Sequence, residues 1–170
     1  MFRKSLVFSF MLTILICSSA YAVDFVPRGK VIIPGVESIW PNSRVAASTQ
    51  IAITNVSGCD VNCKVTFYDH KGIDVSSYCT LYTWNATGTT ESVIGTCDET
   101  FSLGSGKTIL AGANIHNTSK GIHGYAVIEW GSDNPHISRA LVVMAQKTNI
   151  DLNNSLLSRI ALPVVGVQPF

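Results

Sequence analysis

The chain has 170 residues, a formal net charge of +1, 14% charged residues and 46% hydrophobic residues. It has no basic block, so nucleic acid is a poor partner. Its length suits one domain with a core of its own.

The first 22 residues read as a cleavable secretory signal: Arg3 and Lys4, an apolar run from Leu6 to Ile16, then the small-x-small site Ala20-Tyr21-Ala22. The run is about half the length a membrane span needs. Cys17 invites a lipoprotein reading, but Leu15 and Ile16 stand where such a signal carries small residues. The expected product is Val23–Phe170, secreted to the periplasm or the extracellular space as a single domain. Within it no apolar run reaches spanning length; Ala140 to Ala145 is short and is flanked by Arg139 and Lys147.

The segment Val23 to Pro41 carries Pro27, Pro34 and Pro41 and reads as extended, an edge strand. Thr49 to Thr54 alternates with Ile51 and Ile53 on one side. Val61 to Asp69 alternates more clearly, placing Val61, Cys63, Val65 and Phe67 on one face. Asp69 to Gly72 is a turn signal, and Ile73 to Leu81 alternates again. Asn85 to Thr90 is a polar loop. Strands are predicted at Thr100–Leu103 and Lys107–Ile115, around Gly104-Ser105-Gly106, with another loop at Asn117–Lys120. Gly124–Trp130 and Ile137–Thr148 are strong strand candidates, separated by the turn cluster Gly131–Pro135. After the polar turn Asp151–Ser155, Ser158–Val167 gives a last strand. Seven or eight short strands with turn signals between them predict an all-β, antiparallel, immunoglobulin-like β-sandwich.

Cys59, Cys63, Cys79 and Cys97 remain after the leader. An even count in an exported chain predicts two disulfides rather than a zinc site, because no second close ligand pair accompanies Cys59 and Cys63. With a loop at His70-Lys71-Gly72, Phe67 faces Val75 and Cys63 faces Cys79, which leaves Cys59 with Cys97. The rival is two local bonds, Cys59–Cys63 and Cys79–Cys97. A one-residue change of register decides between them.

No catalytic set emerges. His70, His116, His123 and His136 have no metal-ligand spacing, with or without Glu129. Gly104 to Thr108 resembles only the end of a phosphate loop, since Phe101 stands where a glycine is needed. There is no Gly-x-Ser-x-Gly, and Asp98 and Glu99, being adjacent, point to opposite faces of a strand. Asn55, Asn85, Asn117 and Asn153 begin N-glycosylation patterns of the kind expected by chance in a chain rich in Asn, Ser and Thr. No cofactor is expected. Tyr78, Tyr82 and Trp84 fall opposite Cys79 and Leu81, hence outward, as a candidate ligand patch for glycan.

Ile51–Val56, Val65–Gly72, Gly124–Trp130 and the terminal Pro169-Phe170 together resemble a group of small, exported, mostly uncharacterised bacterial β-sandwich proteins. The resemblance implies fold and export and transfers no activity. The cysteine-bearing stretch from Ser76 to Thr100 is longer than that pattern. The functional expectation is a non-catalytic structural or adhesive protein of the cell surface or extracellular matrix, partnering itself or matrix components. The alternatives are a soluble glycan-binding module and a pilin-like subunit whose Val23–Ile33 segment adds a strand to a neighbour.

Overall fold

The structure, a computed structural model, describes residues 25–42, 44–84, 91–113 and 121–166, with the side chains of Trp84 and Glu91 left aside. The predicted signal sequence 1–22 with Cys17, the predicted loops at Asn85–Thr90 and Asn117–Lys120, His116 and Pro169-Phe170 lie outside those residues. Eleven strands follow in chain order: β1 (Gly29–Asn42), β2 (Val45–Asn55), β3 (Val61–Asp69), β4 (Cys79–Trp84), β5 (Glu91–Thr96), β6 (Phe101–Leu103), β7 (Thr108–Ala113), β8 (Ile122–Gly131), β9 (Leu141–Asp151), β10 (Leu156–Leu162) and β11 (Val165–Gly166). Among the described residues the only helical element is a 3-10 turn at Ser76–Tyr78.

The fold is all-β and every strand pair is antiparallel, but it is a half-barrel and not a two-sheet sandwich. The hydrogen-bonded path runs β5-β4-β7-β2-β1-β8-β3-β6, with β9 on β2, β10 on β9 and β11 on β1. In a sandwich two sheets meet only through side chains. Here the 14-residue β1 belongs to both halves. It pairs with β8 from Gly29↔Trp130 to Pro34↔Tyr125 and, past a bulge, from Val36↔Gly124 to Ser38↔Ile122, and its far end pairs with β2 through Ile39↔Ala47 and Asn42↔Val45. The bend is at Gly35, which takes φ 76° inside a bulge between Pro34 and Val36. Proline lacks an N–H for the ladder and a bulge needs none there; glycine supplies the positive φ. The expected edge strand is therefore a central one.

The core fills the concave side. Alternation places Val31 and Ile33 of β1, Ile51 and Ile53 of β2, Val61, Cys63, Val65 and Phe67 of β3, and Ala126, Ile128 and Trp130 of β8 in one buried cluster. Strand β5, which the sequence pattern did not reveal, lies at one end of the path with Val93 and Ile94 exposed.

The cysteine pairing requires correction. The predicted hairpin register holds at first: Gly72 N–H donates to the Asp69 carbonyl, Tyr68 pairs with Asp74, and Val75 N–H donates to the Phe67 carbonyl at 2.8 Å. Phe67 N–H then donates to the Ser76 side-chain oxygen at 2.9 Å in place of a backbone carbonyl. The 3-10 turn follows and carries the chain to the other half of the barrel. There β4 pairs with β7 and β5, not with β3. Cys63 consequently lies between Phe101 and Trp130, and Cys79 lies next to Ala113. All four described cysteines are free thiols, so neither Cys63–Cys79 nor Cys59–Cys97 is formed.

Candidate assembly edge

The most exposed apolar element is the hairpin of β9 and β10. Its tip is built by Asp151, whose Oδ1 accepts the Asn153 N–H at 3.0 Å while Oδ2 accepts the Asn154 side-chain N–H at 2.7 Å. The Asn154 side chain holds the Asp151 carboxyl below the usual carboxylate range, against a smaller opposing effect of desolvation. Ser155 closes the turn with φ 53°. The tip is fixed to the β1–β2 turn, because Leu152 N–H donates to the Arg44 carbonyl at 2.8 Å and the Arg44 guanidinium reaches Asn153 Oδ1 at 3.3 Å.

From this tip β10 runs back along β9 through seven paired positions, Leu156↔Asp151 to Leu162↔Ala145. Among the described residues no strand lies along its other edge. Residues Leu156 to Ala161 are all exposed, with Leu156 at 62%, Leu157 at 63% and Ile160 at 49%. Leu157 shares the outer face with Met144 and Val142 of β9, which are 61% and 58% exposed. Apolar residues on both faces of an unpaired strand are the arrangement that invites pairing with another chain.

Beside the tip half of the hairpin lies a cleft of about 300 Å³, lined by Glu37, Ile39, Ala47, Lys147, Asp151 and Leu156 among others. Glu37 is buried. Lys147 Nζ donates to its Oε2, and His123 Nδ1 stands 3.6 Å from its Oε1. Buried carboxylates require such a partner, and this pair ties β9 to β1. Among the described residues no group of three or more His, Cys, Asp or Glu is arranged to hold a metal ion, and no helix is long and apolar enough to cross a membrane.

The residues singled out from sequence are dispersed. Tyr78 sits in the 3-10 turn and is 45% exposed, whereas Tyr82 is 2% exposed with its ring against Gly112 of β7. Tyr82 does face away from the Cys79–Leu81 side, as alternation predicts, and it is covered, while the Trp84 side chain lies outside the description. His123 meets Glu37, while His70 and His136 lie in separate turns. Gly104 to Lys107 is a turn between strands, closed by Lys107 N–H on the Gly104 carbonyl at 3.1 Å. Asn55 is fully buried and donates to the Cys59 and Leu103 carbonyls at 2.7 and 2.8 Å, so it serves as a structural bracket and not as a glycan acceptor. Sequence reading missed the stacked Tyr68 and Tyr125, 4.9 Å apart across β3 and β8, and it missed the Glu37–Lys147 pair. Only the first had a signal, a tyrosine on each of two predicted strands. No protein-family model matches the chain, and no curated protein or solved structure matches it.

Proposed function

We propose that this protein is a non-catalytic structural or adhesive subunit working outside the cytoplasm, and that copies of it join edge to edge. The observation that carries the reading is the seven-residue strand β10, unpaired along its outer edge and exposed on both faces at Leu156, Leu157 and Ile160. The run β10-β9-β2-β7-β4-β5 ends at its other side in β5, whose outer edge has no strand beside it among the described residues, with Val93 71% and Ile94 54% exposed. Joining β10 of one copy to β5 of the next is a heterologous contact, and such contacts propagate into open chains. The signal-like leader and the resemblance to small exported bacterial proteins support the extracytoplasmic setting. Strand addition thus moves from Val23–Ile33, whose Gly29–Ile33 part is paired with β8, to the hairpin at the far end of the chain.

The test is the solution mass and negative-stain electron microscopy of protein lacking residues 1–22. Wild type should form chains or regular oligomers. Leu157→Lys and Val93→Lys, both at exposed positions, should each abolish them without changing the melting temperature. Mixing the two variants should restore one good contact and stop at dimers. A wild type that stays monomeric at every concentration, or chains unchanged in Leu157→Lys, would overturn the reading.

A further inference from the structure

Cys79, the first residue of β4, and Cys97, the residue after β5, stand at the next rung of the β4–β5 ladder past Thr80↔Thr96. The β4–β5 register runs Leu81↔Gly95 and Thr80↔Thr96, and the next rung is closed by Cys97 N–H donating to the Cys79 carbonyl at 3.1 Å. Both side chains are fully buried in the same core cluster. Neither remaining cysteine has such a neighbour: Cys63 is flanked by Phe101 and Trp130, and Cys59 lies in the turn before β3, its carbonyl bound by Asn55. Opposed residues have Cβ atoms about 4.5–5.5 Å apart, and a disulfide needs about 3.5–4.5 Å. The rung lies just past the end of β5 at Thr96, where the regular ladder stops, so it can close by that difference.

We propose that Cys79 and Cys97 are an oxidation site, joined by a disulfide when the chain folds in an oxidising compartment. Strand β5 pairs with β4 alone. The bond would add a covalent tie to the core at the end of a strand held on one side only. The inference does not depend on the edge association proposed above.

The chemistry is thiol–disulfide exchange with a disulfide oxidant. One cysteine thiolate attacks a sulfur of the oxidant, whose S–S bond breaks to give a mixed disulfide and a released thiolate. The second cysteine thiolate then attacks the protein-side sulfur and expels the other half of the oxidant. The protein loses two protons and two electrons, and the oxidant is reduced to thiols. Burial pushes the Cys97 thiol up to about 12 and raises the Cys79 thiol as well, with Cys97 and Asp74 adding to the latter. Exchange therefore occurs before β5 docks, while both sulfurs still ionise.

The experiment refolds residues 23–170, which hold four of the five cysteines, in oxidised and reduced glutathione and maps the peptides without reduction. The expected product is a cross-linked peptide pair joining Cys79 to Cys97, present also in Cys59→Ser. Reduction should lower the melting temperature by about 6–12 °C. A cross-link between Cys63 and Cys79, one between Cys59 and Cys97, or four unlinked thiols after oxidative refolding would overturn the proposal. The map is read on wild type, so it stands even if Cys97→Ser fails to fold.

Discussion

Thr49 Oγ1 accepts a hydrogen bond from the Glu37 backbone N–H at 2.9 Å and donates one back to the Glu37 carbonyl at 3.0 Å. One fully buried hydroxyl therefore satisfies both backbone groups of Glu37 just beyond the β1 bulge. Glu37 pairs with His123 on the β8 side, but the β1–β2 ladder begins only at Ile39, and unpaired buried backbone groups are costly. The same residue carries the carboxylate that receives Lys147. Thr49→Val keeps the shape and removes both bonds. It should lower stability by about 1–3 kcal/mol in urea unfolding, with Thr49→Ser much milder. A Thr49→Val variant as stable as wild type would show that the corner is held by packing alone.

Gly124 is the tightest point of the sheet. A Cβ there would lie 1.9 Å from the Tyr68 carbonyl oxygen and 2.8 Å from the Asp69 carbonyl carbon, both backbone atoms of β3. Those atoms cannot swing away as a side chain would. Gly124→Ala should cost roughly 2–4 kcal/mol and shift the β3–β8 register. Gly95→Ala is the control, because no atom lies within 4 Å of its added Cβ, and should stay within about 0.5 kcal/mol. Equal denaturation midpoints for the two variants would contradict this account of why β8 has glycine at that position.

The turn after β3 has a pH dependence with a defined sign. Asp69 Oδ1 accepts the Ile73 N–H at 2.9 Å and the Lys71 N–H at 2.8 Å. The Ile73 bond is the main cause that holds its carboxyl below the ordinary range; desolvation opposes it and the Lys71 bond assists. The group binds protons more weakly folded than unfolded. Its contribution is complete above the unfolded carboxylate value of about 4 and is lost as pH falls through the lower folded value. Asp69→Asn keeps one acceptor oxygen and removes the titration. In an NMR titration the Ile73 amide shift should follow Asp69 with a midpoint below the usual carboxylate range in wild type and stay flat in the variant. A midpoint at or above that range would refute the assignment.

These residues also show how far the sequence could be read. The alternation of Val61 to Phe67 and the Asp69–Gly72 turn are local signals, and the structure keeps both. The register fails three rungs later for a reason that alternation does not register. Asp74 Oδ1 accepts both the N–H and the hydroxyl of Ser76, and the Ser76 oxygen takes the Phe67 N–H that a third strand residue would have used. Pro34-Gly35 reads as an interruption because its role as a bulge depends on a distant neighbour, β8, which pairs with β1 on both sides of it. Strand β5 was invisible and the start of β10 was missed, since an edge exposed on both faces has no reason to alternate. The candidate assembly edge is thus least legible where the pattern is weakest, and the Glu37–Lys147 pair joins residues 110 positions apart.

The cysteines give a final test that is independent of oxidation. In the reduced protein burial pushes the Cys63 thiol up to about 12, in a core position flanked by Phe101 and Trp130. Cys97 is pushed up to about 12 and Cys79 is raised likewise. Thiolates are the species that react with alkylating agents, so these three are protected twice, by ionisation and by access. Cys59 is only half-buried, with its sulfur 3.8 Å from the Ser57 hydroxyl. Iodoacetamide at pH 8 under native, reducing-agent-free conditions should modify Cys59 in a pre-reduced sample and leave the other three until denaturant is added. Unfolding should then expose them together, because all three belong to one core cluster. Labelling of Cys63 at the rate of Cys59 in the native protein would mean that the concave side of the half-barrel is open to solvent, and that the core described here does not close.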